Sequence, residues 1–529
     1  MTALRRSALA IPLVILGCAL LGGVYGGRVK ATESPDSDLE DSLRSLARVY
    51  SAVEENYADP VNADKAIYNG AIPGMLRNLD PHSGFFDPKT YQLWREEQRG
   101  RYYGVGMQVA LRGGKTVVLV SFPGAPAYKA GLRRGDVIAQ VNSKPADNLT
   151  SAEVAELLKG PKGTSVRILV LREGSSRPLE FLVTRDEIPR FAVEQAFELQ
   201  PGIGYIKIAN FNETTSRELG SALRKFDVRR LKGLILDLRD NPGGLLSEGV
   251  AVADMFLAKG QVIVSHRGRA SGEKVYWATH GNNGVTYPLV VLINHQSASA
   301  SEIVAGAIQD HDRGLVVGET SFGKGMVQTV YPLAEKTGLA LTTAFFHTPS
   351  GRLIQRRFAG LSLYDYYYYR DDGQREEAEN TLPRQTRVTD SGRTVYGGGG
   401  IAPDEKVSAL PTPFLRMLTV QKYAFFNFAR YYLGAHGTVS RDFQVTDAAL
   451  GEFRRFLDRE KIPYTENELQ QNMEAVSRQI KQELFLFVFG KLEGERIGIE
   501  ADPQVLRAIE VLPKAKELAL NARRILAQR

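Results

Sequence analysis

Three serines stand within five residues, Ser297, Ser299 and Ser301, and Lys324 follows between Gly323 and Gly325, four residues before Gln328. A serine hydroxyl attacks well only when a neighbouring base takes its proton, and a desolvated lysine can be that base. Serine is also a favoured helix N-cap, so each hydroxyl has a second, purely structural reading. The lysine favours the chemical one. A solvated lysine needs no glycine on either side, whereas one pressed against a neighbouring backbone does. In an extended segment Lys324, Met326 and Gln328 point to the same face. Gln328 can then hold the amine, giving the composition of a Ser–Lys nucleophile–base pair.

The surrounding pattern supplies elements to position these groups. An apolar run from Leu289 to Ile293 leads into a small-residue turn, Asn294 to Ser299. A helical pattern follows, with Ile303, Val304, Ala307 and Ile308 on one face. A second apolar run, Leu315 to Val317, leads towards Lys324 and an alternating segment, Met326 to Tyr331. Strand, turn and helix in this order present a nucleophile at a helix N-terminus. There the unpaired N–H groups and the helix dipole favour developing negative charge.

The segments SASASEI and GETSFGKGMVQ resemble the catalytic stretch of the carboxyl-terminal processing peptidases, the tail-specific serine proteases. LDLRDNPGG (Leu236 to Gly244), FHTPSGRLIQ (Phe346 to Gln355), GGIAPDEKV (Gly399 to Val407) and LDPHS (Leu79 to Ser83) resemble further landmarks of that family. The resemblance implies Ser299 as nucleophile, Lys324 as general base and Gln328 as its orienting partner. It places the oxyanion hole at Gly243 or Gly244 together with the N–H of Ala300. It also implies an α/β core of the Clp-protease and crotonase type, built as a repeated β-β-α spiral. The implied activity is endoproteolysis at or near protein C-termini, with no cofactor and no metal.

Composition agrees with a multidomain globular chain: 529 residues, 43% hydrophobic and 24% charged. The net charge of +7 is mild for this length, and no basic cluster interleaved with aromatics suggests nucleic-acid binding. The seven histidines show no H-E-x-x-H spacing, and the single cysteine, Cys18, excludes an intrachain disulfide.

Met1 to Ala31 reads as a signal peptide or membrane anchor, with Arg5-Arg6 before an uncharged apolar run. Export, to a bacterial periplasm, is the expectation, either in soluble form or held at the inner membrane by this segment. Residues 32–99 read as a helical N-terminal region. Leu39, Leu43, Leu46, Tyr50 and Val53 form a stripe that is core or a dimer face, and a second helix breaks near Pro73. His82, beside Asp80 and Pro81, reads as a turn residue.

Residues 100–188 resemble a PDZ domain, with β-like runs at Thr116 to Val120, Val137 to Val141 and Val166 to Leu171. A short helix closes at Gly131, and Ser151 to Leu158 is a second. Gly104, Val105, Gly106 and Met107 stand where such a domain binds a peptide carboxylate through backbone N–H groups.

The catalytic core is read as 189–410, beginning with a β-α-β unit: strand Gly204 to Ile208, helix Thr215 to Phe226, strand Gly233 to Leu238. Within it, Phe358 to Tyr396 reads as a surface excursion containing a Tyr-rich β-hairpin. Residues 411–529 read as helical, with one apolar face at Leu415, Leu418, Phe425 and Phe428 and another at Ile480, Leu484 and Phe487.

The expected partners are protein or peptide substrates with free C-termini, and the pattern leaves an adaptor and a homo-oligomer open. Two rival functions remain. One is a Ser–His–Asp triad using His295, or His311 with Asp310. The other is a PDZ scaffold on an inactive protease-like body.

Overall fold

The computed structural model describes residues 37–227, 230–269, 272–368, 385–408 and 412–528. The expected targeting segment, Met1 to Ala31, lies outside them. The chain divides into two units, Met1–Met75 and Leu76–Arg529.

In the first unit Ser37–Asn56 is one helix. Leu39, Leu43 and Leu46 of its stripe are 53–56% exposed, so the stripe is not core. Helix continues from Ala63 through a π turn, Ile67–Ala71, to Arg77. The expected break near Pro73 is thus a local widening: proline donates no N–H, and the π turn just before it absorbs the change.

The second unit opens with β1 (Gly84–Phe86) and the helix Pro88–Gln98. The expected PDZ-type module follows. Its main sheet includes β2 (Met107–Arg112), and α1 (Ser151–Leu158) is closed at its start by a Thr150–Glu153 capping box. The helix Pro126–Ala130 ends on Gly131, whose φ of +95° suits a left-handed C-cap. Arg101–Gly104 and Asp186–Pro189 pair as a separate antiparallel ribbon at the entrance and exit of the module.

The catalytic region is built on a six-stranded sheet. After the edge strand Val193–Gln200 come β3 (Ile203–Ile208), α2 (Thr215–Leu223) and β4 (Gly233–Asp237), the expected β-α-β unit with parallel pairing. The sheet continues in parallel through β5 (Leu289–Ile293), which leads into α3 (Ala300–Asp310), then β6 (Leu315–Gly318) and Glu405–Lys406. A second sheet holds β7 (Met326–Pro332) and β8 (Gly338–His347), with β1 paired to β8.

Alternation along the strands separates two cores. Leu234, Leu236, Val291 and Ile293 face α2 and α3. Tyr205, Ile235, Val290 and Leu292 face the other way, against Val505, Ala508, Leu512 and Ala515. The last four belong to α4 (Pro503–Glu510) and the following helix Leu512–Gln528. A parallel strand buried on both faces needs such covering helices. Gly233 marks the closeness: a Cβ there would lie 2.5 Å from Leu512. The two apolar faces of the preceding helical region meet in one core containing Leu418, Phe425, Phe428, Ile480 and Leu484.

The tyrosine excursion departs from expectation. Leu363–Tyr368 is helical, not a hairpin, and Tyr366 is 2% exposed. Tyrosines favour strands in general, but here burial against neighbouring rings decides the conformation. The rest of the tyrosine run and its acidic continuation lie outside the described residues. A short hairpin does follow, Thr386–Val388 with Thr394–Tyr396.

Candidate active site

Three neighbouring parallel strands end at one side of the sheet, and each releases one loop. From β4 comes 238–244, from β5 comes 294–299, and from β6 comes 319–324. Hydrogen bonds lock the first two loops together. Asn294 accepts the Asp240 N–H at 3.0 Å and donates to the Asp240 carboxylate at 2.7 Å. The Asn241 carbonyl accepts the Ala298 N–H at 3.0 Å and the Ser301 hydroxyl at 2.9 Å. The Ser297 hydroxyl donates to the Leu238 carbonyl at 2.8 Å.

These bonds separate the three serines. Ser297 and Ser301 are fully buried and committed to structure, whereas Ser299 keeps partial exposure at the N-terminus of α3. Its φ of +55° is unusual for a residue with a side chain, as expected where a sharp turn aims a group out of the backbone.

The residue that ties nucleophile and base loops together is Glu302. It is wholly buried and accepts four donors: Ser299 N–H at 2.8 Å, Ser321 Oγ at 2.5 Å, Gly323 N–H at 2.7 Å and Lys324 N–H at 2.9 Å. Burial raises its carboxyl pKa, and the four hydrogen bonds oppose that rise. Sequence reasoning missed it. The available signal was its place three residues after Ser299, the spacing of a capping box.

Lys324 donates from Nζ to Gln328 Oε1 at 2.5 Å, and Gln328 Nε2 donates to the His82 carbonyl at 2.6 Å. Loss of water around the amine lowers its pKa; Glu302 and Asp80 pull the other way. The flanking glycines permit this packing, since a Cβ at Gly325 would lie 2.8 Å from the Gln355 nitrogen. A cavity of about 320 Å³ is lined by Ser299, Lys324, Gln328, Gly243 and Gly244, with Ile303 and Phe346 among its apolar walls.

His82 is a turn residue, as expected, but the turn is part of this framework. Asp80 accepts the N–H groups of His82 and Ser83 at 2.7 and 2.8 Å. The His82 ring bonds the hydroxyls of Tyr366 and Tyr367 at 3.0 and 3.1 Å. Burial, reinforced by Lys324, pushes its pKa down to about 3. His295 pairs instead with Glu319, and His311 with Asp390 and the Val262 carbonyl.

Sequence comparison adds an independent line. The profile of Peptidase family S41 matches residues 202–361, and a PDZ domain profile matches 117–172. "Probable PDZ-protease, C-terminal helical domain" matches 415–468. A carboxy-terminal-processing protease of Bartonella bacilliformis is 39% identical over 335 residues, covering 62% of this chain and 76% of the relative.

The chain belongs to the carboxy-terminal processing proteases.

It is therefore a serine-type endopeptidase. The similar protease CtpB of Bacillus subtilis is 32% identical over 362 residues, 65% of this chain and 75% of CtpB. A solved photosystem II D1 C-terminal processing protease is 29% identical and covers 71% of this chain and 89% of its own, with a TM-score of 0.36.

In this carboxy-terminal processing protease the glycine loop beside Ser299 is held very close. A Cβ at Gly243, where φ is +94°, would lie 2.7 Å from the Ala298 oxygen and 2.9 Å from the Ala300 nitrogen. The Gly243 N–H donates to Asn241 Oδ1 at 2.9 Å. Among the described residues, no protein acceptor takes the N–H of Gly244 or of Ala300.

The protease's PDZ loop shows a related arrangement. Gly104 belongs to the entrance ribbon, and Met107 begins β2. Between them, the carbonyls of Val105 and Gly106 accept the N–H groups of Ala127 and Phe122 at 2.8 and 3.0 Å. No protein acceptor among the described residues takes the Val105 and Gly106 N–H groups. Val105 and Gly106 line a cleft of about 1430 Å³ whose lining also includes Arg190, Glu218 and Lys491.

Proposed function

We propose that Ser299 is the nucleophile of this protease, Lys324 its general base and Gln328 the residue that orients the base. One observation carries the reading: a desolvated lysine amine, held through Gln328 by the His82 carbonyl, lines the same cavity as the only serine of its turn left partly exposed. Neutral Lys324 takes the Ser299 proton as Oγ attacks the scissile carbonyl. The oxyanion is met by the N–H groups of Gly244 and Ala300, with Gly243 giving the close approach. Lys324 returns the proton to the leaving amine, and a water activated in the same way releases the acyl-enzyme.

The PDZ module, 100–188, reads substrate C-termini: the N–H groups at Gly104, Val105, Gly106 and Met107 surround the place of a carboxylate, and the peptide adds a strand along β2. In this reading the rest of the chain divides into a helical region 32–99, the core 189–410 and a helical region 411–529. Export through Met1 to Ala31 completes the reading and places the enzyme where it meets unfolded tails. Among the described residues no helix is long and apolar enough to cross a membrane. The test uses peptides with free and amidated C-termini and a fluorophosphonate probe. Wild type is labelled at Ser299 and prefers the free carboxylate; Ser299→Ala and Lys324→Ala lose labelling and about 10⁴-fold or more of turnover. Full labelling of the alanine variant at position 299 would move the nucleophile elsewhere.

A further inference from the structure

The strand β4 ends at Asp237, and its loop begins with a buried ionic knot. Arg239 donates to Asp237 from Nε at 3.0 Å and from Nη2 at 2.6 Å, while the Tyr205 hydroxyl donates to the same carboxylate at 2.6 Å. The remaining nitrogen of Arg239, Nη1, reaches α4. It donates to Asp502 Oδ2 at 2.7 Å and to Gln504 Oε1 at 2.8 Å.

Both partners are fixed by a second role. Asp502 caps α4, with Oδ1 accepting the Gln504 N–H at 2.8 Å. Gln504 is fully buried, and its Nε2 donates to the Val407 carbonyl at 2.7 Å. The Val407 N–H in turn donates to the Gly318 carbonyl at 2.9 Å. Gly318 is the last residue of β6, which releases the base loop. One amide thus grips the root of the oxyanion loop with its oxygen and, through Val407, the root of the base loop with its nitrogen.

We propose that Gln504, supported by Asp502, is a positioning residue that sets the spacing between the oxyanion loop and the Lys324 loop. The inference rests on the assignment of Ser299, Lys324 and the glycine loop. Gln504 touches neither substrate nor reacting atoms. It acts because the two loops leave separate strands, and a buried amide with both ends satisfied fixes a distance that apolar packing alone leaves adjustable. Its loss shifts the donors relative to the base while leaving the cavity and the PDZ loop in place.

The full-length enzyme carrying Gln504→Met, which fills the volume without either hydrogen bond, is compared with Asp502→Asn and Ser299→Ala. The expected result for Gln504→Met is a fall of about tenfold in kcat and in fluorophosphonate acylation rate, with KM within about twofold of wild type. Asp502→Asn keeps the shape of the cap and is expected to lose about threefold in the same two rates. Gln504→Glu retains an acceptor for Arg239 but not the donor to Val407, and should fall between wild type and Gln504→Met. Folded Gln504→Met with wild-type kcat and acylation overturns the proposal, as does a change confined to KM. Should Gln504→Met fail to fold, wild-type rates in folded Asp502→Asn overturn it equally. Retained activity in Ser299→Ala refutes the underlying site assignment instead, so the two failures are distinguishable.

Discussion

The catalytic loops and the PDZ loop use similar materials, small residues and backbone N–H groups that meet no protein acceptor among the described residues, but they are held in different ways. Around Ser299 the supports are short, buried and shared: Glu302 joins the nucleophile turn to the base loop through four donors, and the Phe322 N–H adds a bond to the Ser297 carbonyl at 2.9 Å. The PDZ module is joined to its surroundings by a two-stranded ribbon and a set of side-chain contacts. Arg134 pairs with Glu483 at 2.6 Å and lies over Phe426 and Phe487, and Arg112 lies over Tyr423. Buried polar networks fix geometry to a fraction of an ångström; ribbons and partly exposed ion pairs allow a module to shift. The loops around Ser299 are fixed here, and the PDZ module is held more loosely.

The comparison breaks most sharply at Glu302. Glu302→Gln puts an NH₂ donor where only donors converge, costing about 2–4 kcal/mol of stability. Displacing both loops should also lower kcat by about 100-fold. Thermal unfolding and pre-steady-state acylation measure the two effects. A variant of unchanged kcat would show that the loops hold their spacing without the carboxylate.

Lys324 sharpens it through pH. Because burial lowers its pKa below the ordinary lysine value, the neutral base forms at lower pH than for a free side chain, and acylation should rise with pH through that titration. His82, at about 3, cannot supply a limb near neutrality. The same shift has a stability consequence. Below the folded-state pKa the buried amine carries an unfavourable charge, so between the folded and unfolded values the unfolded chain binds more protons and stability rises with pH. Lys324→Met should therefore abolish turnover yet raise Tm at neutral pH, the gain vanishing above ~10.4. A Tm difference independent of pH would contradict this. Lys324→Arg should stay inactive, since its guanidinium remains protonated.

The PDZ loop should show a smaller and more selective effect. Gly106 has a φ of +77°, and a Cβ there would lie 2.3 Å from that of Ala125. Gly106→Glu adds this clash and a negative charge where a carboxylate is expected to bind. KM for long substrates with free C-termini should rise about tenfold, with amidated peptides nearly unaffected. Equal loss on both would place the loop inside the catalytic framework. The smallest effect belongs to Arg134→Ala, which removes one ion pair, a hydrogen bond to the Leu119 carbonyl and two ring contacts, about 1–2 kcal/mol. Faster hydrogen exchange across 100–188, with unchanged labelling of Ser299, is the expected signature.

What was legible in the sequence follows the same division. That Ser299, Lys324 and Gln328 line one cavity was foreshadowed by reactive types at short spacing among glycines, on strands and helices with clear periods. The PDZ helix Ser151–Leu158 was visible to the residue through its apolar spacing. Glu302 was hidden because a glutamate inside a helical pattern ordinarily faces water. The role of His82 was hidden for another reason: its backbone carbonyl, not its ring, holds Gln328. Tyr366 was misread because a run of aromatics has no period of its own. The apolar faces of the last helices were readable, but not that α4 would lie against the far side of the catalytic sheet.

The bond from Gln328 to His82 joins residues 246 positions apart, and that from Arg239 to Gln504 spans 265. A ribosome delivers the chain from its N-terminus, so Ser299, Lys324 and the glycine loop all emerge before α4 exists. Closure of such long loops is slow, and the braces set late in folding. The position of α4 in the chain means that the Arg239–Gln504 bond forms only after almost the whole chain has been made.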